Sequence, residues 1–142
     1  MPIMPIAKAA IAEARRRSEE GPRRDSGICL ILVRECYGIP AGGNVNMDGD
    51  ADAFDAWFRS PHKHRETNPA RIPRGVPVFW QGGSANHGHI AIATGFNGNC
   101  WSTDIKRKGF FDRCKITQIH EDWNLKLLGW TEDLNGVRVH QP

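Results

Sequence analysis

A nearly uncharged helix is the strongest structural prediction that this sequence allows. Asp25 or Ser26 can cap its start, and Gly38 is typical of a helix end. Between these ends only Arg34 and Glu35 carry charge. A helix without a broad polar face must be covered by other elements. The sequence therefore predicts a central, buried helix over residues 26–37.

Cys29 falls in the first turn of this predicted helix. Free backbone N–H groups and the positive end of the helix dipole favour a thiolate there, so we expect a lowered pKa for this thiol. The alternative is that Cys29 only packs in the core, as many free cysteines do. A catalytic role also requires a histidine from elsewhere in the chain.

Length and composition favour one compact α+β domain. A chain of 142 residues suits a single domain, and its 15 glycines and 9 prolines indicate many turns. We expect residues 1–142 to form one unit, with an N-terminal helix within 1–22 and a core over 23–136. The formal charge of +3 is too small to indicate a nucleic-acid partner.

The order of predicted elements gives N-terminal helices followed by a small antiparallel sheet. Alanine-rich residues 6–20 read as a first helix, and the arginines at its end, 15–17, as a solvated helix terminus. Residues 60–74 are polar and broken by proline, which indicates a surface loop. The further predictions are a helix over 51–59, strands within 75–81, 88–94, 100–105, 109–116 and 125–132, and a short helix over 117–123.

A histidine and an aspartate are expected on the same face of a hairpin. If Asn97 and Gly98 form a two-residue turn, Ala93 lies opposite Ser102. Asp104 then lies diagonal to His89, within reach of its side chain. This arrangement would allow Asp104 to hold the imidazole while the ring takes a proton from Cys29. Ser102 is the alternative residue for holding the ring.

The segment 41–55 has the spacing of an EF-hand calcium loop. Its departures are an asparagine at position 1, an aspartate at position 12 and an alanine at position 8, and they predict a weak structural site at most. The alternative is a Gly- and Asp-rich loop that caps the following helix. The candidate ligands are Asn44, Asn46, Asp48, Asp50 and Asp55, with Gly49 at the sharp turn.

The cysteines and the N-terminus bear on redox chemistry and location. The four cysteines contain no CxxC pair, so a zinc ribbon or a thioredoxin-like site is not expected, and a disulfide is not required at this size. Cys100 and Cys114 are interpreted as core residues or at most a chance pair. The first 14 residues lack the pattern of a secretory signal, and no stretch is long enough to span a membrane. We expect a soluble protein made in the cytoplasm, which acts outside only after release or as part of a virion or secreted assembly.

Two motifs in this order resemble a known family. Gly27-Ile28-Cys29 is similar to the nucleophile helix, and Gly88-His89-Ile90-Ala91 to the histidine strand, of the CHAP and NlpC-type cysteine peptidase superfamily, which has a papain-like core. The segment 73–79 between them fits the same order. The stretches 100–107 and 128–136 resemble lysin-type domains carried by actinobacteria and their phages.

This resemblance implies a cysteine-dependent peptidoglycan hydrolase, such as an endolysin. Cys29 would be the nucleophile and His89 the general base, with Asp104 or Ser102 as the third member and no cofactor needed for catalysis. The implied substrate is an amide in cell-wall peptidoglycan, cleaved by an endopeptidase or an N-acetylmuramoyl-L-alanine amidase acting as a monomer, without nucleic acid or membrane as partners. The segment 41–55 departs from the family pattern. Because this sequence includes no separate wall-binding module, we expect that the catalytic domain either works alone or comes from a longer chain.

Two other readings of the same residues stay open. A non-catalytic domain of the same fold could bind cell walls or serve as a virion part, because a fold does not guarantee a function. A delivered toxin or deamidase could instead use the same Cys29 and His89 pair on a protein substrate. Assays on purified cell walls and on protein substrates separate these readings.

Overall fold

The computed structural model describes residues 3–20, 29–39, 53–83, 87–95, 98–107 and 110–141. Within these ranges the chain forms four α-helices, a six-stranded antiparallel sheet and a second sheet of two short strands. The predicted mixture of helices and an antiparallel sheet is therefore confirmed.

The helices and strands follow the predicted order with small shifts at their ends. Residues 69–71 form one turn of 3₁₀-helix, with Asn68 accepting a hydrogen bond from the backbone of Ala70. The helices are α1 (Pro5–Glu20), α2 (Cys29–Tyr37), α3 (Ala53–Arg59) and α4 (Ile116–Trp123). The strands are β1 (Lys63–His64), β2 (Pro77–Gln81), β3 (His89–Ala93), β4 (Asn99–Thr103), β5 (Phe111–Lys115), β6 (Lys126–Thr131), β7 (Asp133–Leu134) and β8 (Val137–Arg138).

The large sheet has the strand order β1-β6-β2-β3-β4-β5, and all its neighbours are antiparallel. Its first strand corrects one prediction. Residues 60–74 were expected to be loop only, but Lys63 and His64 pair with Thr131 and Trp130 of β6. A strand of two residues is too short to leave a periodic signal in the sequence.

Side chains alternate between the two faces of the sheet and build a separate apolar cluster on each. The first cluster joins Ile90 and Ile92 of β3 to buried residues of α1, α2 and α3. The second cluster joins Ala91 and Ala93 to Trp80 and to buried residues of α4. The sheet thus separates α1, α2 and α3 from α4. Alternation along a strand is what assigns neighbouring residues to opposite faces.

Helix α1 is tied to α2 by a buried arginine, which corrects the prediction for residues 15–17. Arg17 is buried, whereas Arg15 and Arg16 remain exposed. The guanidinium of Arg17 donates to Glu13 at 2.8 Å and to Glu35 of α2 at 2.9 Å. Buried charges require such partners, so Arg17 contacts α2, whereas Arg15 and Arg16 are solvated as predicted.

The hairpin between β3 and β4 has a different register from the predicted one. Ala93 lies opposite Cys100, not opposite Ser102, and the backbone N–H of Thr94 donates to the carbonyl of Asn99. The connection is therefore longer than a two-residue turn. Because the shift is two residues, every side chain keeps its predicted face.

Several predicted features lie outside the described residues. These include the helix caps at residues 25 and 26 and the hairpin residue 97. The calcium-loop residues Asn44, Asn46, Asp48 and Asp50 also lie outside, and Asp55 is described only as a backbone position in α3. No helix within the described ranges has both the length and the apolar character that a membrane span requires.

Candidate active site

The strands β3 and β4 part near the first residue of β3. Their ladder contains only the pairs Ile92 with Trp101 and Ala93 with Cys100. The N–H of Ala93 donates to the carbonyl of Val76, on the side of β2. Amide directions alternate along a strand, so the N–H of Ile90 faces the side of β4, where the ladder has ended. This leaves a backbone donor at the gap between the strands.

The thiol of Cys29 occupies this gap. The backbone N–H groups of Ile90 and Leu30 hydrogen-bond to its sulfur. Burial nevertheless raises the pKa of the Cys29 thiol to about 11, and the negative charge of Asp104 also raises it. The predicted lowering of this pKa is therefore wrong. Loss of hydration of the thiolate outweighs the backbone donors near the helix start.

The imidazole of His89 is held by a chain of hydrogen bonds that defines its tautomer. Its Nε2 lies 2.8 Å from the hydroxyl oxygen of Ser102, and that hydroxyl donates to the carbonyl of Thr103 at 3.1 Å. A serine hydroxyl has one proton, so Nε2–H must donate to Ser102. The lone pair of the neutral ring is then on Nδ1. No described residue hydrogen-bonds to Nδ1, which leaves it as a proton acceptor.

Two tryptophans surround the His89 ring and shield it from water. The Trp123 ring lies edge-on with its centroid 4.9 Å away, and the Trp80 ring lies at 5.6 Å. His89 is only 5% exposed. Burial lowers the pKa of the imidazole to about 4, against the opposing effect of the nearby Asp104 carboxylate. At neutral pH the ring is therefore uncharged and can act as a base.

Cys29 and His89 approach the gap from the two faces of the sheet. Cys29 packs against the first cluster, whereas the imidazole lies beside Trp80, a member of the second cluster. The sulfur bonds to the amide of Ile90, the residue that directly follows His89. No hydrogen bond joins the sulfur to the ring within the part of the chain that the structure describes. The sulfur therefore contacts the backbone of β3 one residue after the position that carries the imidazole.

Among the predicted site residues, the structure brings Ser102 rather than Asp104 into contact with Nε2 of the ring. Asp104 follows the end of β4 with a left-handed φ of 68°, and its charge acts on the pKa of both Cys29 and His89. The sequence analysis missed Trp80 and Trp123. Aromatic residues in strands and short helices are usually core residues, so the sequence contains no signal for their contact with His89.

A metal site is not evident where the structure describes the chain. No group of three or more His, Cys, Asp or Glu side chains in those ranges could hold a metal ion. The predicted calcium loop lies almost wholly outside them. Structural calcium therefore stays a prediction.

A cavity of about 390 Å³ lies at the other end of the sheet. It is lined by the end of α3, by Ser60 and by the turn between β7 and β8. Ser60 donates a hydrogen bond to Asp133 there, and Arg138 pairs with Glu132 at 2.7 Å. Because β6 runs antiparallel to β2, this region adjoins the start of β2, whereas His89 pairs with Trp80 near its end.

No protein-family model, curated protein or solved structure matches this chain. The case for a function therefore depends on the chemistry of Cys29, His89 and Ser102. These three residues supply a thiol, an unprotonated ring nitrogen and a hydroxyl that holds the ring.

Proposed function

We propose that this protein is a cysteine-dependent hydrolase of the papain-like CHAP and NlpC type that cleaves an amide bond in bacterial peptidoglycan. The proposal rests on one observation above all. The hydrogen bonds from His89 to Ser102 and from Ser102 to Thr103 leave Nδ1 as the basic nitrogen, one residue from the amide that holds the Cys29 thiol. A nucleophile with a base oriented by a third group is the requirement for covalent acyl transfer.

In the proposed reaction, the Cys29 sulfur attacks the substrate carbonyl carbon while the thiol proton moves to Nδ1 of His89. A carbon–sulfur bond forms, and the oxyanion is met by the backbone N–H of Cys29. Nδ1 then gives its proton to the leaving amine as the carbon–nitrogen bond breaks. Water finally hydrolyses the thioester, which releases a carboxylate and restores the thiol.

The resting protonation states define how this step must proceed. With a thiol pKa of about 11 and an imidazole pKa of about 4, both groups are neutral at pH 7. A stable thiolate–imidazolium pair is therefore not the starting point. Proton transfer has to accompany attack on the carbonyl, and the developing imidazolium would be stabilised by the nearby charge of Asp104. The enzyme would act on the cell wall after release, or from a virion or secreted assembly.

One observation favours a second candidate, a non-catalytic wall-binding or virion domain of the same fold. The thiol and the ring reach the gap from opposite faces of the sheet, without a hydrogen bond between them among the described residues. Such a domain would bind peptidoglycan or virion proteins without consuming an amide. A toxin or deamidase would use the catalytic pair but would act on protein substrates.

A pair of cysteine variants on the same helix tests the proposal. Cys29→Ala removes the nucleophile, whereas Cys36→Ala changes a buried cysteine two turns further along α2. On purified cell walls, we expect the release of new amino groups to fall at least about 1,000-fold for Cys29→Ala. Cys36→Ala should keep activity per folded molecule within about threefold.

The outcomes separate the candidates. Equal activity of the two variants would contradict a role for Cys29 as nucleophile. Wall binding by the wild type without any new amines, on walls of several bacterial types, would favour the non-catalytic domain. Ammonia or amine release from proteins but not from walls would favour the toxin or deamidase.

A further inference from the structure

The two cysteines outside the candidate active site face each other across a strand pair. Cys100 of β4 lies directly opposite Cys114 of β5. Their sulfur atoms are 3.8 Å apart, and both residues are buried in the second cluster. Both are free cysteines in this structure.

The backbone geometry at this pair suits a disulfide. The N–H of Ile116 donates to the carbonyl of Gly98, so hydrogen-bonded pairs occur at every second position of this ladder. Cys100 and Cys114 are two residues inward and therefore form a hydrogen-bonded pair. The Cα atoms of such pairs are typically about 5.5 Å apart, which is within the usual range for a disulfide.

The two thiols differ in reactivity. Cys114 is 5% exposed, whereas Cys100 is fully buried. The hydrogen bond between the two thiols lowers the pKa of Cys114, and the positive charge of Lys106 acts in the same direction. Burial raises the pKa of Cys100. Cys114 is thus the thiol that reacts first with a reagent in solution, because the thiolate is the attacking species.

We propose that Cys100 and Cys114 close a disulfide when the protein meets a small-molecule disulfide such as oxidised glutathione. The Cys114 thiolate attacks one glutathione sulfur, so a mixed disulfide forms and one reduced glutathione leaves. The Cys100 thiol then loses its proton and attacks the Cys114 sulfur, which releases a second reduced glutathione. The protein loses two electrons and two protons, and the oxidised glutathione gains them.

The bond would join β4 to β5 at the position two residues before Ser102, the residue that holds the His89 ring. It would close a loop of about 15 residues and restrict the unfolded chain. The inference is independent of the proposed hydrolase activity, because it depends only on the pairing of these two strands. It implies a protein whose stability responds to an oxidising environment.

The test is incubation of the full-length protein with mixtures of oxidised and reduced glutathione at pH 8, followed by alkylation in denaturant and peptide mass analysis. We expect a linked pair of peptides containing Cys100 and Cys114, reversed by dithiothreitol. The melting temperature of the oxidised protein should rise by about 5–10 °C. Cys36→Ala should form the same bond and show the same rise.

Variants at the pair complete the experiment. Cys114→Ala and Cys100→Ala should each show no rise in melting temperature on oxidation, and Cys100→Ala should stop at the mixed disulfide. Four alkylatable thiols in the wild type after equilibration at an oxidising ratio would overturn the proposal. A bond that links Cys29 or Cys36 instead, or a persistent mixed disulfide in the wild type, would overturn it as well.

Discussion

The two ends of the central sheet hold polar groups in different ways. At the candidate active site, Cys29 and His89 are both uncharged at neutral pH because burial moves their pKa values in opposite directions. At the cavity end, Glu132 is an ion paired with Arg138 and contacts His64 at 2.6 Å. The comparison shows that paired ions border the 390 Å³ cavity, whereas the candidate active site at the other end holds uncharged groups.

The chemistry at each end explains this difference. Neutral donors and acceptors can exchange a proton during a reaction, since no stable ion pair has to be broken first. Paired ions instead keep their charged states, because a proton added to the carboxylate would break the pair, and they connect elements. Glu132, which follows β6, contacts Arg138 of β8 and His64 of β1. These contacts fit a structural role for the cavity end. The following predictions test this division, beginning with the largest expected effect.

The pH dependence of stability tests the burial of His89. Its pKa is about 4 in the folded protein and about 6.5 in the unfolded chain. Above pH 6.5 the residue contributes no pH dependence, because it is neutral in both states. As the pH falls from 6.5 to 4, the unfolded chain takes up the proton first, so stability should fall by about 3 kcal/mol. Urea unfolding at several pH values measures this loss.

A matched pair of histidine variants assigns this loss. His89→Gln should remove about 3 kcal/mol of the pH dependence, because the titrating group is gone. His62→Gln removes an exposed histidine at the cavity end and is the matched control for the loss of an imidazole. An unchanged slope in His89→Gln would mean that the imidazole is accessible to protons in the folded protein.

Two buried serines provide the next test. Ser102 holds the His89 ring at 2.8 Å, and Ser60 donates to Asp133 at the cavity end. Each replacement by alanine should cost about 1–2 kcal/mol of stability, because a buried polar partner loses its hydrogen bond. Only Ser102→Ala should also reduce amide hydrolysis, by about 10- to 100-fold, since Nε2 of the ring would no longer be oriented.

The tautomer of the His89 ring can be measured separately from stability. A variant that only destabilises the fold should not change this tautomer. In the wild type, ¹⁵N chemical shifts should report a proton on Nε2 of His89 below pH 8 and above the pKa of the ring. Ser102→Ala should give a mixture of tautomers, while Ser60→Ala should not. Equal losses of activity in the two variants would remove the distinction between the two ends.

The smallest effect is expected for Arg138→Gln at the cavity end. The arginine side chain is 39% exposed, and solvent screens its pair with Glu132. We therefore expect a loss of less than about 1 kcal/mol in stability and a change of less than about twofold in activity. A large loss of wall hydrolysis in a folded Arg138→Gln protein would move the functional site to the cavity.

Much of the fold could be predicted because its signals are local. The alanine-rich run of α1 and the β-branched residues of β3 define their elements without help from the rest of the chain. The register between β3 and β4 could not be derived, since Asn97 and Gly98 suggest a two-residue turn whereas Thr94 pairs with Asn99. The error of two residues preserved the faces but exchanged Ser102 for Asp104 as the ring's partner.

The electrostatics of the candidate site could not be predicted from local sequence. Cys29 and His89 were chosen from helix punctuation and motif order, and their catalytic roles stay predictions, but the direction of the thiol's pKa shift depends on burial that no local pattern encodes. Likewise, Trp123 reaches His89 only because α4 packs against the second face of the sheet. Such contacts join segments that are distant in sequence, and they follow from tertiary packing alone.

The most direct test of the account is a double-mutant cycle on wall hydrolysis with Cys29→Ala, His89→Gln and the double variant, each corrected for the folded fraction. If the thiol and the ring act as one unit, each single change should remove most of the activity, and the double variant should be no slower than the slower single variant. Losses that multiply in the double variant would contradict a shared proton-transfer step. Full activity in either single variant would contradict the catalytic pair itself.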